Sequence, residues 1–235
     1  MRLRIKFSKT GPMRYISHLD IMRFFQKALK RTDADVSMSE GFSPHMLMSF
    51  ALPLSLGMES VGEYFDVEVN SCSSTKKLME DLNRQMCEGC RILSVKSIPQ
   101  DKANKCMTQV AAADYSVFVK AADGSPYKNE AGMQEDLAGF LAQPEIRVLK
   151  KTKKGEKEAD IKPQIYSAGF DVSCFTMRIG AGSVNHVRCD LVMSRFFEYA
   201  GISEDTLRVD IRRDDLLLET EKGFEPLDSI GEEIS

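Results

Sequence analysis

The 235-residue chain lacks any apolar run that approaches the ~20 residues needed to span a membrane. Its first seven residues alternate charged and apolar side chains instead of forming the continuous apolar core of a signal peptide, so we expect a cytoplasmic protein. Its six cysteines are then expected to be reduced thiols. With 43% hydrophobic and 29% charged residues, the composition is typical of a globular protein with one large or two small cores.

Motifs that bind metals or nucleotides are also scarce. Cys87-Glu88-Gly89-Cys90 is one CxxC pair, and no second pair stands at zinc spacing. Incidental thiols are the favoured interpretation, and a zinc site completed by His186 or Cys189 is the alternative. Gly180-Ala181-Gly182-Ser183 precedes a predicted helix but lacks the lysine of a P-loop and the dinucleotide spacing. We therefore expect no cofactor and no bound metal.

The charges are distributed unevenly along the chain. Residues 1–31 carry nine Lys or Arg against one Asp, whereas residues 202–235 carry eleven acidic residues against four basic ones. A basic N-terminal region can attract phosphate, and it can equally neutralise the acidic segment. Lysines at the tip of a predicted hairpin could contact phosphate. The favoured interpretation is that the tip is a solvated turn whose lysines discourage aggregation through the strand edge. Its lysines are Lys150, Lys151, Lys153, Lys154 and Lys157.

Residues 1–100 are predicted to form a ferredoxin-like unit with the order βαββαβ, in which two helices cover an antiparallel sheet. Alternating apolar and polar residues predict the strands. Apolar residues at helical spacing after a capping serine predict the helices. The elements are a strand at 3–7, a helix from Ser17 to about Arg31, strands at 47–56 and 63–69, a helix at 74–86 and a strand at 91–98.

Residues 111–222 are predicted to form a second ferredoxin-like unit with added strands, after a polar linker at 99–110. The predicted strands are 115–120, 146–152, 159–165, 172–179, 207–212 and 216–219, and the helices are 129–142 and 190–200. Residues 223–235 are expected to be a loose acidic tail. The predicted fold class is therefore α+β, with two ferredoxin-like units built on antiparallel sheets.

A polar cluster surrounds the start of the first predicted helix, and a second polar segment follows about twenty residues later. Ser17 and Asp20 have the spacing of a capping box, so both have a structural role available. His18 would lie in the first helical turn, where the helix dipole disfavours protonation. A neutral imidazole there could bind a metal, accept a proton or hold a substrate hydroxyl, or it could simply tie the loop to the sheet.

An anion held at the helix N-terminus by backbone N–H groups and Arg14 is the preferred interpretation. Arg23 stands three residues past Asp20 and could pair with it instead. His18, Asp20 and His45 could also form a two-histidine, one-carboxylate metal set. The predicted substrate-binding residues are Lys9, Arg14, Ser17, His18, Asp20, Arg23, Ser39 and His45.

The N-terminal motif resembles a known family. It reads Lys9-x-Gly11-x-x-Arg14-Tyr15-x-Ser17-His18-Leu19-Asp20-x-x-Arg23, then Ser39-x-Gly41-Phe42-x-Pro44-His45, then Leu54-x-x-Gly57 and Glu63. Together these residues resemble the radical SAM-linked domain, which occurs alone or fused to the C-terminal end of cobalamin-binding radical SAM proteins. The segments 151–155 and 160–163 fit as well. Family members are often encoded beside a radical SAM protein and sometimes near ribonuclease and ribosomal genes, which implies such a partner and hints at RNA.

The chain departs from the family at Cys87 and Cys90, where proline and an aliphatic residue are usual. It also lacks a Cys-x-x-x-Cys-x-x-Cys triplet, so it cannot hold the iron–sulfur cluster of a radical SAM enzyme. We expect a non-catalytic accessory protein that presents an anionic substrate, preferably RNA, to a radical SAM enzyme, with no DNA or membrane involved. The alternatives are a stand-alone ribonuclease or transferase that uses His18, Asp20 and His45 in acid–base chemistry, and a purely structural adaptor.

Overall fold

A computed structural model describes residues 1–124, 130–152, 155–171 and 173–235. The chain is a mixed α+β protein with a large, mostly antiparallel sheet and few helices, which confirms the predicted α+β class. It divides into unit 1, residues 1–112 and 213–235, and unit 2, residues 113–212. No helix among the described residues is long and apolar enough to cross a bilayer. The predicted positions Asn129, Lys153, Lys154 and Val172 lie outside the described residues.

Unit 1 contains most of the N-terminal half of the chain. Its elements are β1 (Arg2–Lys9), a 3₁₀ turn (Gly11–Tyr15), α1 (His18–Leu29), β2 (Asp35–Val36), β3 (Met48–Phe50), β4 (Glu59–Ser71), α2 (Thr75–Asn83), β5 (Cys90–Ile98) and α3 (Cys106–Gln109). Strand β1 lies between β4 and β5 and is antiparallel to both. The short strands β2 and β3 pair with β4.

Alternation along β1 separates an apolar face from a charged face. Leu3, Ile5 and Phe7 belong to the core, and the helix α1 supplies buried residues such as Phe25 to the same cluster. The Phe7 and Phe25 rings meet edge to face with centroids 4.7 Å apart. Aromatic pairs of this kind add about 0.5–1.5 kcal/mol beyond burial. The core therefore fixes where α1 begins relative to the end of β1.

Unit 2 contains one helix of 13 residues, one of 11 residues and most of the remaining strands. Its elements are β6 (Ala112–Ala121), α4 (Glu130–Ala142), β7 (Arg147–Thr152), β8 (Gly155–Asp160), β9 (Ile165–Asp171), β10 (Cys174–Gly180), α5 (Cys189–Tyr199) and the first half of β11 (Leu207–Thr220). The strands β9 and β10 are antiparallel, and β7 and β8 form a two-stranded sheet of their own. The Phe175 and Phe196 rings, 5.1 Å apart, pack α5 against β10.

The two ferredoxin-like units are not confirmed and stay a prediction. In unit 1 the strand predicted at 47–56 is reduced to Met48–Phe50, because Pro53 lies in the loop that follows. In unit 2 the structure has a strand at Ile165–Asp171 that the sequence pattern did not predict.

The C-terminal residues, expected to be a loose acidic tail, are bound to unit 1. Strand β12 (Gly223–Pro226) pairs with the second half of β11. Leu227 is fully buried, and the backbone of Glu232 exchanges hydrogen bonds with Ser97. Apolar anchors and backbone pairing thus hold this acidic segment in place.

Candidate functional site

Ser17 caps the N-terminus of α1 as the sequence predicts. Its Oγ accepts a hydrogen bond from the Asp20 backbone N–H at 3.2 Å and donates one to Asp20 Oδ2 at 2.7 Å. Arg23 Nη1 lies 3.3 Å from Asp20 Oδ1, which confirms the alternative pairing three residues apart. Both side chains of that pair are more than half exposed, so the attraction is worth little and solvent or a ligand can compete for it.

Lys9 is buried at the end of β1. Only 4% of the residue is exposed, and Nζ donates a hydrogen bond to the carbonyl oxygen of Ile16 at 2.8 Å. Burial lowers the pKa of Lys9, Glu63 opposes that shift, and Arg213 adds a smaller lowering. The ammonium therefore holds the segment that leads into α1, and direct contact of Lys9 with a ligand stays a prediction.

Arg14 lies in the 3₁₀ turn before α1 beside an exposed aromatic ring. Its guanidinium carbon is 5.4 Å from the Tyr15 ring centroid, and Nη1 is 3.7 Å from Glu59 Oε1. The Arg14 carbonyl oxygen accepts a hydrogen bond from the Gly57 N–H at 3.0 Å, which fixes the 51–58 loop against this turn. Tyr15 is 68% exposed, so cation and ring form one surface feature.

His18 is the first residue of α1 and is half buried. Its ring meets Phe50 of β3 edge to face, with centroids 5.0 Å apart. This contact supports the structural interpretation in which His18 ties the helix start to the sheet. It also holds the imidazole in a defined position at the positive end of the helix.

Ser39 and His45 lie at the base of one exposed loop, residues 39–45, which we call the hairpin loop. Ser39 Oγ is 2.8 Å from His45 Nδ1, and the two backbones are joined by a hydrogen bond from Ser39 N to His45 O at 2.8 Å. The residues that flank this loop, Met38 and Met46, form an isolated antiparallel β-bridge. The loop therefore holds the imidazole of His45 rigidly while leaving it exposed.

The predicted site residues thus fall into two groups. The helix-start cluster comprises Lys9, Arg14, Ser17, His18, Asp20 and Arg23, and Ser39 and His45 belong to the hairpin loop. The contacts of Asp20 described above go to Ser17 and Arg23, and those of His45 go to the hairpin loop. Across the described parts of the chain, no three His, Cys, Asp or Glu side chains form a group that could hold a metal ion. Among the described residues, His18, Asp20 and His45 therefore do not form the two-histidine, one-carboxylate metal set.

Sequence reasoning missed the exposed apolar side chains around these groups. Tyr15, Leu19 and Leu56 are each more than half exposed, and Phe42 at the tip of the hairpin loop is fully exposed. For Phe42 and Leu56 the available signal was a large apolar residue next to a glycine and outside any helical period, whereas Tyr15 and Leu19 stand inside the polar motif itself.

A family model described as "Uncharacterized protein conserved in bacteria (DUF2344)" matches residues 2–189, a range that contains both groups. That description names no activity and no partner. No curated protein matches the chain. Among solved structures, the chain is similar to a crystal structure of an unknown protein from Galdieria sulphuraria. The identity is 14%, the match covers 90% of this chain and 97% of that one, and the TM-score is 0.27, too low to carry an argument.

Proposed function

The chain belongs to the family of uncharacterised proteins conserved in bacteria (DUF2344), and we propose that it is a non-catalytic accessory protein that binds RNA for a radical SAM enzyme in the cytoplasm. The radical SAM enzyme is proposed as the partner because the motif from Lys9 to Glu63 resembles the radical SAM-linked domain. RNA is proposed as the substrate because of the chemistry of the surface that this motif forms.

The observation that carries the RNA proposal is the Arg14–Tyr15 pair. Tyr15 is 68% exposed, and the Arg14 guanidinium lies 5.4 Å from its ring centroid. Proteins recognise single-stranded RNA chiefly by stacking unpaired bases on aromatic rings and arginine planes, at about 1–3 kcal/mol per base. A base stacked on Tyr15 would have its phosphate close to the positive end of α1.

The hairpin loop supplies a second ring of the same kind. Phe42 is fully exposed at its tip, and Gly41 beside it has a φ of +107°, a conformation that favours glycine. Ser39 holds His45 at the base of the loop. Phe42 would stack on a second base, and His45 would donate or accept a hydrogen bond at its edge.

The electrostatic contribution is small and has a measurable consequence. Arg14 and Arg23 each lie within 4 Å of a carboxylate, Glu59 and Asp20 respectively, so phosphate must compete with those acids. For single strands, each phosphate neutralised contributes about −0.7 to the slope of log K against log salt. Two arginines therefore predict a slope of about −1.4, and stacking must supply the rest of the affinity.

The test is fluorescence anisotropy with a labelled single-stranded RNA pool at several salt concentrations. We expect wild-type protein to bind, duplex DNA to compete poorly, and Tyr15→Ala to weaken binding about tenfold, the loss of one stacked base. Tyr166→Ala removes a partly exposed tyrosine from unit 2 and serves as the matched control. Equal affinity of wild type and Tyr15→Ala would contradict RNA recognition here and favour the structural adaptor.

The accessory role has its own test with a purified radical SAM enzyme. We expect the chain to bind that enzyme and to raise the rate at which the enzyme turns over RNA. Tyr15→Ala should reduce this increase in rate while leaving the complex between the two proteins intact. RNA cleavage or group transfer by the isolated chain, abolished by His18→Ala, would replace this proposal with the stand-alone enzyme.

A further inference from the structure

Cys87, Glu88, Gly89 and Cys90 form a tight turn between α2 and β5. The Cys90 N–H donates a hydrogen bond to the Cys87 carbonyl oxygen at 3.0 Å. Gly89 has a φ of +83°, and a Cβ there would lie 2.2 Å from the Thr10 carbonyl oxygen, so the position requires glycine. In a turn of four residues the first and last Cα atoms lie within about 7 Å, so the two cysteines are neighbours along the backbone of this turn.

Two methionine thioethers lie against these thiols. Met13 Sδ is 3.5 Å from Cys87 Sγ, and Met86 Sδ is 3.5 Å from Cys90 Sγ. With metal–sulfur bonds of about 2.3 Å, two sulfurs on one ion lie about 3.8–4.0 Å apart in tetrahedral or trigonal geometry. The two observed separations are within a few tenths of an ångström of that distance.

The thiol pair opens onto a groove of about 950 Å³ on unit 1. Cys87 is exposed and Cys90 is buried, so an ion can enter from solvent and lose its water. Besides the sulfur-bearing side chains, the groove is lined by two arginines, Arg84 and Arg91, and by two glutamates, Glu80 and Glu88, so its charged side chains balance.

We propose that Cys87, Cys90, Met13 and Met86 form a binding site for a soft monovalent metal ion, Cu(I). Thiolate and thioether ligands together select Cu(I), whereas zinc takes cysteine, histidine and carboxylate. Within the described residues, no third His, Cys, Asp or Glu completes a zinc-type group. Binding releases one proton from each thiol to solvent, forms sulfur–copper bonds and changes no oxidation state. This proposal does not rest on RNA recognition, although Met13 lies in the same 3₁₀ turn as Arg14 and Tyr15.

The test is an anaerobic Cu(I) titration of the reduced protein against a coloured Cu(I) chelator. We expect one equivalent of Cu(I) to be withdrawn from the chelator, and one equivalent of Ag(I), a redox-inert analogue, to appear in native mass spectra. Cys87→Ser should abolish binding, and because Cys87 is exposed the fold should be retained. Cys72→Ser, which changes another cysteine of unit 1, is the matched control and should bind as wild type does.

The thioethers are tested by Met13→Leu/Met86→Leu, which preserves volume and removes both sulfurs. We expect the Cu(I) affinity to fall at least about tenfold, as is typical when groups that support a metal site are removed. Unchanged affinity in this variant would overturn the four-sulfur site. Undiminished binding by Cys87→Ser, or displacement of Cu(I) by equimolar Zn(II), would overturn the proposal as a whole.

Discussion

Lys9 Nζ donates a hydrogen bond to the carbonyl oxygen of Ile16 over 2.8 Å, and this bond joins the end of β1 to the start of α1. The lysine is almost fully buried, and burial lowers its pKa, with Glu63 opposing the shift and Arg213 adding to it. Ile16 lies between Tyr15 and Ser17, so the bond fixes both the exposed ring and the helix cap. A buried cation on the sheet thereby sets the geometry of a surface site.

Lys9→Met should loosen the segment before α1. The substitution leaves the Ile16 carbonyl oxygen without its donor, which costs about 1–3 kcal/mol of unfolding free energy. It should also accelerate hydrogen exchange of the backbone amides at 11–18 well before it affects α2. Urea unfolding and exchange mass spectrometry measure the two effects. Lys30→Met, an exposed change after α1, is the control; equal exchange in both variants would contradict the tethering role.

Periodic apolar residues and a cap made α1 predictable. The sequence predicts a helix from Ser17 to about Arg31, and the structure has His18–Leu29 after the Ser17 cap. By contrast, β2 spans only Asp35–Val36, too short for any period to show. The strand β11 was predicted as two pieces, because Arg213, Asp214 and Asp215 interrupt its apolar pattern.

Buried charges explain why residues 213–215 of β11 were not predicted as strand, and why the burial of Lys9 was not predicted. Arg213 binds both oxygens of Glu63, with Nε–Oε1 at 2.7 Å and Nη2–Oε2 at 2.6 Å, and both side chains are buried. Local propensity treats such residues as exposed, and only their distant partners make burial possible. The same applies to Lys9, which looks in the sequence like a free surface cation.

The two helix caps of unit 1 form a matched pair for mutation. Ser17 Oγ accepts from Asp20 N at 3.2 Å, and Ser74 Oγ accepts from Lys77 N at 3.3 Å. Replacing either serine with alanine should lower the unfolding free energy by about 1 kcal/mol. RNA affinity should fall in Ser17→Ala alone, since Ser74 caps α2. A similar fall in both variants would show that the loss reflects general destabilisation rather than the helix-start cluster.

Asp215 should make the stability of unit 1 depend on pH. Its Oδ2 accepts from Lys6 Nζ at 2.7 Å and its Oδ1 from Tyr64 Oη at 2.6 Å. Burial raises the pKa of Asp215 above its ordinary value of 3.8, and the two hydrogen bonds offset part of that shift. A raised pKa in the folded state gives stability that is present in full below 3.8 and is lost as the pH rises through the folded-state pKa.

Asp215→Asn cannot titrate and isolates this effect. The unfolding free energy of wild type minus that of Asp215→Asn should therefore decrease as the pH is raised from about 4 to 7. Urea unfolding at several pH values measures the difference. Asp205→Asn, an exposed change in unit 2, should give a difference that is nearly flat. A difference that grows with pH would mean that Lys6 and Tyr64 outweigh burial.

Arg4 should hold the C-terminal segment in place. It is fully buried in β1, and its guanidinium binds Asp66 through Nε at 2.8 Å and Nη2 at 3.1 Å. Nη1 also donates to the Leu227 carbonyl oxygen at 2.6 Å, and Nη2 donates to the Asn104 carbonyl oxygen at 2.6 Å. One side chain thus connects two strands to the segment before α3 and to the segment after β12.

Arg4→Met leaves Asp66 as a buried carboxylate without its cation, which costs about 3–5 kcal/mol. Because Leu227 loses its donor as well, residues 223–235 should become sensitive to carboxypeptidase before the rest of unit 1 unfolds. Asp66→Ala removes the other half of the pair, and the double variant should lose far less than the sum of the single losses, since both act on one network. Additive losses, or a C-terminus that resists carboxypeptidase in Arg4→Met, would show that β12 and Leu227 hold this segment without Arg4.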